Sequence, residues 1–316
     1  MADNSFHGVI IIDKPPGITS HTAVKRAKKI LKVRKAGHAG TLDPFATGVL
    51  IICINEGTKL VPFLMEEEKE YEAALRLGVE TDTQDLTGSI IREDKAVTIT
   101  TTDIESVFRK FQGKITQIPP MYSALKHNGV PLYRLARQGK EVERLGRDIE
   151  IRELMISAIE LPRVFFRVVC SKGTYVRTLA SDIGKGLGCG ASLETLKRVR
   201  SGDFLIKHAL DLDDLAKKTL EEIQTEWLIS LPKALPSIPA VAIDAMIARQ
   251  VCLGKIITCG ELQDRGLLIP PGRKKTLKIL DPQGRMIAMA ETLGPGNGNR
   301  DWEKPAWKLL RVFNVV

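Results

Sequence analysis

The segment Gly37-His38-Ala39-Gly40-Thr41-Leu42-Asp43-Pro44 is the most informative stretch of this chain. Its glycines let a ligand backbone come close, and Pro44 biases Asp43 away from helical backbone angles and so fixes its direction. Taken alone, an Asp in a loop is usually a turn residue that bonds its own backbone. The segment by itself therefore leaves two interpretations open, a turn residue and a site carboxylate.

A strand and a helix are expected before this segment, and a strand after it. Residues 8–13 contain an apolar run that is typical of a buried strand, and the two prolines that follow end it. Thr19 or Ser20 can cap the helix. Its apolar stripe consists of Val24, Ala27, Ile30 and Leu31. Residues 49–54 form the next strand, so the Asp43 loop joins secondary-structure elements on both sides.

Basic residues crowd the expected helix and its exit. The chain has 47 Lys and Arg against 38 Asp and Glu, a net charge of +9. Seven of these cations fall within eleven residues that contain no acid: Lys25, Arg26, Lys28, Lys29, Lys32, Arg34 and Lys35. Such a cluster repels itself unless something negative neutralises it. A solvated helix face and a phosphate-binding surface are both compatible with it.

Length and composition indicate a folded protein of two domains. The chain has 316 residues, and 43% of them are hydrophobic, enough for a sizeable core. No apolar run approaches the roughly 20 residues of a membrane span, and no secretory leader is visible. The five cysteines form no C-x-x-C pair. We therefore expect no structural zinc, and a reduced, cytoplasmic setting.

The remainder of the first domain alternates between strands and helices. Residues 71–77 alternate with period two, which places Tyr71 on the apolar side of a strand. Apolar spacing predicts a second strand over residues 164–170. The predicted helices cover residues 104–111, 176–187, 193–199 and 211–224. The proline-spaced stretch 231–239 leads out of the domain.

From about residue 240 the pattern changes to a small, mostly β module. A helix is expected near residues 244–253, followed by strands at 278–280 and 286–290 around a turn, and by a final strand at 307–316. The plausible phosphate contacts of this module are Arg265, Arg273, Lys274 and Lys275.

Several motifs resemble those of one family. Residues 37–48 look like the catalytic motif of the TruB family of tRNA pseudouridine synthases. Further matches are Asp13-Lys14-Pro15, residues 71–78 with Thr81-Asp82-Thr83, residues 118–126, residues 171–178 and residues 187–191. They cover about residues 8–205 in the family's order, which chance does not produce. The block from about residue 240 is similar to a PUA domain.

The resemblance assigns roles to individual residues. Pseudouridylation breaks the N1–C1′ bond of uridine and forms C5–C1′, and a carboxylate can act at C1′. The family pattern gives that role to Asp43, with Arg177 paired to Asp43 and Asp85 so that the carboxylate stays ionised. Lys14 supports the active-site loop or a phosphate, unless it is a surface lysine. The residues expected to contact the flipped base or nucleotide are His38, Tyr71, Tyr175 and Leu196.

The implied fold is α+β, with a mixed, largely antiparallel sheet and flanking helices. It comprises a catalytic domain at 1–235, with an insert at about 88–150, and a PUA-like RNA-binding domain at 238–316. The implied reaction converts uridine 55 in the T arm of tRNA to pseudouridine. No cofactor, metal, membrane or protein partner is expected. We expect the chain to be a monomer.

Two other functions remain open. A non-catalytic RNA-binding protein would also use a basic helix and a PUA-like tail. The related guide-RNA-dependent synthases share the Asp loop and the tail, although the insert favours the stand-alone enzyme. Cofactor enzymes have little support, because there is no P-loop motif. The G-x-G-x-x-A pattern at 186–191 follows a helix rather than a strand.

Overall fold

The computed structural model describes residues 6–94, 98–265, 275–293 and 304–314. The strands are β1 (Gly8–Lys14), β2 (Ala36–Ala39), β3 (Thr47–Ile54), β4 (Lys69–Leu77), β5 (Val79–Thr81), β6 (Ile90–Glu93), β7 (Gly113–Gln117), β8 (Lys126–His127), β9 (Val130–Pro131), β10 (Arg147–Glu160), β11 (Arg163–Cys170), β12 (Ala191–Ser201), β13 (Phe204–Leu205), β14 (Leu210–Asp211), β15 (Ala240–Ala242), β16 (Thr276–Leu280), β17 (Met286–Thr292) and β18 (Trp307–Val312).

The helices are α1 (Ser20–Leu31), α2 (Val61–Met65), α3 (Thr101–Lys110), α4 (Leu132–Ala136), α5 (Val176–Leu187), α6 (Leu212–Leu215), α7 (Leu220–Glu222), α8 (Ala245–Cys252) and α9 (Cys259–Gln263). Short 3-10 turns occur at Asn55–Leu60 and Ile206–His208, and a π-helical turn at Ile223–Trp227. Within the described ranges, no helix has the length and apolar character that crossing a membrane requires.

One large sheet organises the first domain. Its strand order is β14-β1-β3-β12-β4-β11-β10-β7, with β2 added to β3 and β13 added to β12. Only the β1/β14 and β3/β12 pairs of this sheet are parallel. The predicted α+β class with a mixed, largely antiparallel sheet is therefore confirmed. Strand β7 and helix α3 lie within the stretch expected to be an insert, yet β7 extends this sheet and α3 contributes to its core.

The structure corrects two predicted elements. The helix expected over residues 211–224 is interrupted at residues 216–219, because Thr219 caps a second start, so two short helices, α6 and α7, take its place. Residues 193–199 were expected to form a helix, but they belong to strand β12. A bulge between Leu193 and Thr195 adds one residue to the strand, so Leu193 and Leu196 both enter the apolar core although they are three residues apart. The bulge thus produces a spacing that resembles the period of a helix.

Helix α1 forms as predicted, and Thr19, not Ser20, is its N-cap. The Thr19 hydroxyl accepts a hydrogen bond from the amide of Thr22 at 3.0 Å. Residues 23, 24, 27 and 31 are buried against β1 and β3, which leaves the basic residues outside. Because Thr19 is the cap, the hydroxyl of Ser20 is free for another partner, described below.

The C-terminal module packs firmly on the first domain. Its sheet has the order β15-β16-β17-β18. Met286, Met289 and Phe313 share one apolar cluster with Leu60 and Leu64 of the first domain. Polar bonds join the same two parts: the Lys59 ammonium donates to the carbonyl of residue 312 at 2.7 Å, and the Lys278 ammonium donates to the carbonyl of residue 235 at 2.7 Å.

Candidate active site

The Asp43 loop connects β2 to β3 and is held by hydrogen bonds from the entry to α1. The Ser20 hydroxyl accepts from the amide of Leu42 at 2.8 Å and donates to its carbonyl at 3.0 Å. The amide of Gly17 donates to the carbonyl of Pro44 at 2.8 Å. The loop backbone is therefore fixed on both sides of Asp43, which separates it from an ordinary surface turn.

Lys14 lies beneath this loop. Its side chain is fully buried, and its ammonium donates to the carbonyls of Pro15 and Ile18 at 2.8 Å and of Pro44 at 3.2 Å. Burial lowers the pKa of Lys14 to about 8, while the Asp43 charge acts in the opposite direction. Of the predicted alternatives, the surface lysine is wrong, and support of the loop matches the observed bonds.

Arg177, in the first turn of α5, brings the loop and two other segments together. Its Nε lies 2.8 Å from Asp43 Oδ2, and its Nη2 lies 3.2 Å from Asp43 Oδ1, so the pair is bidentate. The remaining donors reach the carbonyls of Thr83 and Tyr122 at 2.7 and 2.8 Å. Asp85 Oδ2 lies 3.6 Å from Nη1. The predicted pairing of Arg177 with Asp43 and Asp85 is confirmed.

The exposures of these side chains differ in a way that matters for chemistry. The Arg177 side chain is 4% exposed and that of Asp85 is 5% exposed, whereas Asp43 is 32% exposed. Asp43 is thus the member of the group that a ligand can reach. Burial raises the pKa of its carboxyl, and Arg177 opposes that increase. The charge on Asp43 therefore depends on the guanidinium beside it.

Two tyrosines approach the same carboxylate. Tyr71 on β4 is 8% exposed and shares the main core with Leu42 and Leu196. Tyr175 is the half-buried residue just before α5. Burial raises the pKa of both phenols, and the Asp43 charge adds to the increase in each. The structure therefore brings together the loop carboxylate, both aromatic residues and the apolar Leu196.

His38 on β2 is half-buried. Its Nδ1 is enclosed and has no hydrogen-bond partner among the described residues. Burial lowers the pKa of the imidazole, and the charge of Arg198 lowers it further. A neutral imidazole at this place could accept or donate one hydrogen bond to a ligand. Across the described ranges, no cluster of His, Cys, Asp and Glu is arranged to hold a metal ion.

Sequence reasoning missed several supporting residues. The Gln117 side chain accepts from the amide of Tyr175 at 2.8 Å and donates to its carbonyl at 3.1 Å. Thr83 and Tyr122 accept hydrogen bonds from Arg177 through their backbone carbonyls. Arg198 is buried between β3 and β4. The segments that contain Thr83 and Tyr122 both match family motifs. Their bonds to Arg177 could not be predicted, because every residue type has a backbone carbonyl.

The outer face of α1 forms a basic surface next to the loop. All seven predicted basic residues between positions 25 and 35 are exposed. None of them has a carboxylate within ion-pair distance in the part of the chain that the structure describes. In the C-terminal module, Arg265 is paired with Asp244 at 2.5 Å, and Lys275 is exposed. Arg273 and Lys274 lie outside the described residues.

Comparison with known families agrees with this site. Residues 28–176 match the TruB family pseudouridylate synthase (N terminal domain), and residues 177–237 match the tRNA pseudouridylate synthase B C-terminal domain. This chain belongs to the TruB family. The first match contains the Asp43 loop, and the second begins at Arg177.

Curated relatives of the TruB family resemble the chain over nearly its whole length. A protein of Geotalea uraniireducens is 45% identical, with 98% of each chain covered, and one of Geobacter sulfurreducens is 44% identical, with 97% of this chain and 99% of the relative covered. A protein of Burkholderia pseudomallei is 43% identical, with 92% and 94% covered. Each is named tRNA pseudouridine synthase B. The chain is therefore a pseudouridine synthase that isomerises uridine in tRNA.

Solved structures support the fold. The chain aligns with a Cbf5 chain from a Cbf5-Nop10-Gar1 complex at a TM-score of 0.73 and 28% identity, covering 98% of this chain and 86% of the other. A chain from an H/ACA RNP bound to a substrate RNA that contains 2′-deoxyuridine gives a TM-score of 0.72 at 26% identity, with 98% and 86% covered. The chain therefore shares the pseudouridine synthase fold with these structures.

Proposed function

We propose that the chain converts uridine 55 in the T arm of tRNA to pseudouridine, with Asp43 as its catalytic residue. The observation that carries the proposal is the bidentate pair between Asp43 and Arg177, in which the carboxylate alone remains open to a ligand. A guanidinium in this position holds the carboxylate ionised and fixes its direction. Both properties suit a group that must act at a single atom of the substrate.

The reaction is an internal rearrangement. The N1–C1′ bond breaks, the uracil turns, and C5–C1′ forms. The hydrogen on C5 leaves as a proton and N1 gains one, so no electron or group is donated from outside. Attack of Asp43 on C1′ and removal of a proton by Asp43 both require an ionised carboxylate, which Arg177 favours.

The neighbours of Asp43 suit a base turned out of its helix. A uridine in an RNA stem-loop must be extruded at a cost of a few kcal/mol. In our proposal Tyr71 stacks on the extruded uracil, and such stacking recovers about 1–3 kcal/mol. Tyr175 and Leu196 line the base pocket, and the neutral His38 contacts the flipped nucleotides. Asp85 and Lys14 support Arg177 and the loop from below.

We assign tRNA binding to two surfaces. The basic face of α1 contacts phosphates beside the active site. The module at 238–316, proposed here as a PUA-like domain, contacts RNA away from it through Lys275, Arg265 and their neighbours. Binding through phosphates weakens steeply as salt increases. We further propose that the chain acts in the cytoplasm as a monomer, without a guide RNA, metal, cofactor or protein partner.

An Asp43→Asn variant tests this proposal. The variant should bind unmodified tRNA as the wild type does but form no pseudouridine, whereas the wild type should modify uridine 55 when pseudouridine is mapped in the treated tRNA. Asp182→Asn is a matched control, because the Asp182 side chain is 33% exposed and pairs only with Lys185 among the described residues. Activity in Asp43→Asn would contradict the catalytic assignment and favour a different carboxylate.

Guide-dependent action is the second candidate, because the similar solved structures include a Cbf5-Nop10-Gar1 complex and an archaeal box H/ACA sRNP Nop10-Cbf5 complex. Purified protein and a bare tRNA transcript separate the two. Modification of the transcript without any other RNA or protein is expected. Absence of modification until a guide RNA is added would favour the second candidate. A product at another uridine would change only the position assigned to the modified nucleotide, not the type of reaction.

A further inference from the structure

Arg198 is the largest fully buried side chain of the described residues, with 1% exposure. It lies on β12, where its Cα is opposite Gly48 of β3 on one side and Tyr71 of β4 on the other. No carboxylate lies within ion-pair distance of it in the described ranges. A buried cation without a carboxylate is costly, and an apolar residue of similar size would pack more cheaply. A specific use would explain its presence.

The guanidinium bridges the two ends of the Asp43 loop. Its Nη2 donates to the carbonyl of Gly40, the first residue after β2, at 3.0 Å. Its Nε donates to the carbonyl of Val49, the third residue of β3, at 2.7 Å. Gly40 has a φ of +96°, and a Cβ there would lie 3.3 Å from Arg198 Nη1. The loop backbone and the planar fork therefore fit closely against each other.

The same cation reaches the neighbours of Asp43. Burial raises the pKa of the Tyr71 phenol, and Arg198 acts against that increase. It also lowers the pKa of Lys14 and of His38, where burial is the larger cause. Arg198 thus bonds the backbone at the two ends of the loop, whereas Arg177 bonds the Asp43 carboxylate itself.

We propose that Arg198 is a positioning residue of this enzyme, whose guanidinium fork fixes the span between Gly40 and Val49 and thereby the place of Asp43 against Tyr71. The proposal rests on the assignment of Asp43 as the catalytic residue. A fork is needed because two carbonyls on different strands must be held at once. A lysine ammonium is a single point of charge on a flexible stem and cannot reproduce that geometry.

The test compares Arg198→Lys and Arg198→Met with the control Arg200→Met. Arg200 is two residues along the same strand, 25% exposed, and pairs with Glu70 at 3.0 Å. Single-turnover formation of pseudouridine is followed by release of tritium from C5 of labelled uridine in tRNA, and binding of unmodified tRNA is measured separately. Both Arg198 variants should lose about 100-fold in rate, the size of loss that a misplacement of about 1 Å produces. Binding should remain at the wild-type level, and Arg200→Met should retain the wild-type rate.

Three results overturn the proposal. The first is an Arg198→Lys variant as fast as Arg200→Met, since charge alone would then suffice. The second is an Arg198→Lys variant that fails to fold, because the residue would then serve the fold. The third is an Arg198→Lys variant whose loss of rate is matched by its loss of binding, because the residue would then serve RNA binding. An Arg198→Met variant that does not fold leaves the decision to Arg198→Lys. Activity in Asp43→Asn would instead show that the proposed function has failed.

Discussion

Asp43 is held in its place by side chains that act on its charge in opposite directions. Burial raises the pKa of the carboxyl, and Arg177 opposes that effect at a distance of 2.8 Å. Beneath the loop, Lys14 donates to three carbonyls while its own pKa is lowered to about 8 by burial. If Asp43 is the catalytic residue, as proposed above, we expect the pH range of activity to depend on the neighbours of the carboxylate as well as on the carboxylate.

Replacing Arg177 should move the acid limit of activity. In Arg177→Gln the cation that lowers the pKa of Asp43 is gone, so the carboxyl protonates at higher pH. The acid limb of the single-turnover rate should shift upward by about 1–3 pH units. Arg167→Gln is the control, because Arg167 pairs with Glu70 at an exposed site. An unshifted acid limb in Arg177→Gln would mean that Asp43 is not the titrating group.

Lys14 should set an alkaline limit. As the pH rises through about 8 the ammonium loses one of the three protons that hold the three carbonyls, so the rate should fall.

The pKa of folded Lys14 lies below the ordinary value of 10.5, so the unfolded chain binds more protons between these values. The contribution of Lys14 to the free energy of unfolding therefore rises with pH in that window.

Lys14→Met should be slow at pH 7 and lack the alkaline fall. Lys69→Met is the matched control, since the pKa of Lys69 is also lowered to about 8 by burial but its ammonium bonds the backbone at the end of α2. If the alkaline fall in rate disappeared in Lys69→Met and persisted in Lys14→Met, Lys69 and not Lys14 would set the alkaline limit, and the prediction would be wrong.

At the residue scale, sequence could predict the charged side chains that pair with one another in the candidate site. Asp43, Arg177 and Asp85 were recognised from motif order, and the structure pairs them. Arg198 and Gln117 were not recognised. Each acts on backbone atoms of a distant segment, and such partners become visible only when the register of β12, β3 and β7 is known.

The elements of the fold divide into those with a simple period and those without one. Helices α1, α3, α5 and α8 were predicted because their apolar residues recur at helical spacing. Side-chain caps begin α1, α3 and α8, whereas α5 begins without one. Strand β12 was missed because its bulge gives core residues three apart. A bulge depends on the partner strands, and no local propensity reports it.

The basic face of α1 should carry a measurable share of tRNA binding. In Lys25→Gln/Lys29→Gln two exposed charges are lost, and the slope of log affinity against log salt should fall by about one per phosphate contact. Thermal stability should be unchanged, since both side chains are exposed. The matched double variant Lys217→Gln/Lys233→Gln removes two exposed lysines that are distant from α1 in the sequence. An equal change in both variants would show only a dependence on net charge.

At the scale of the whole molecule, the large sheet and the C-terminal sheet share a core. Phe313 is 1% exposed and packs with Leu64, Met286 and Met289 in one cluster, while the Lys59 ammonium lies 5.8 Å from its ring centroid. Large apolar contacts of this kind restrict motion between domains. Sequence gave no sign of this docking, because the apolar residues that form it are spread from position 9 to position 313.

Truncating Phe313 tests that docking. Phe313→Ala should lower the free energy of unfolding by about 3–5 kcal/mol, measured by denaturant titration of the full chain. Leu253→Ala is the control, because Leu253 is 70% exposed, and such surface changes stay within about 0.5 kcal/mol. A Phe313→Ala variant as stable as the control would mean that the domains are not energetically coupled.

The shared cluster around Phe313 also bears on how a nucleic acid is handled. If the basic face of α1 and the C-terminal module both bind RNA, this shared core keeps the spacing between the two surfaces constant. An RNA that contacts both surfaces must then supply the bend and the extruded nucleotide itself. We therefore expect the shape of the RNA, more than its base sequence, to decide whether a uridine reaches the carboxylate.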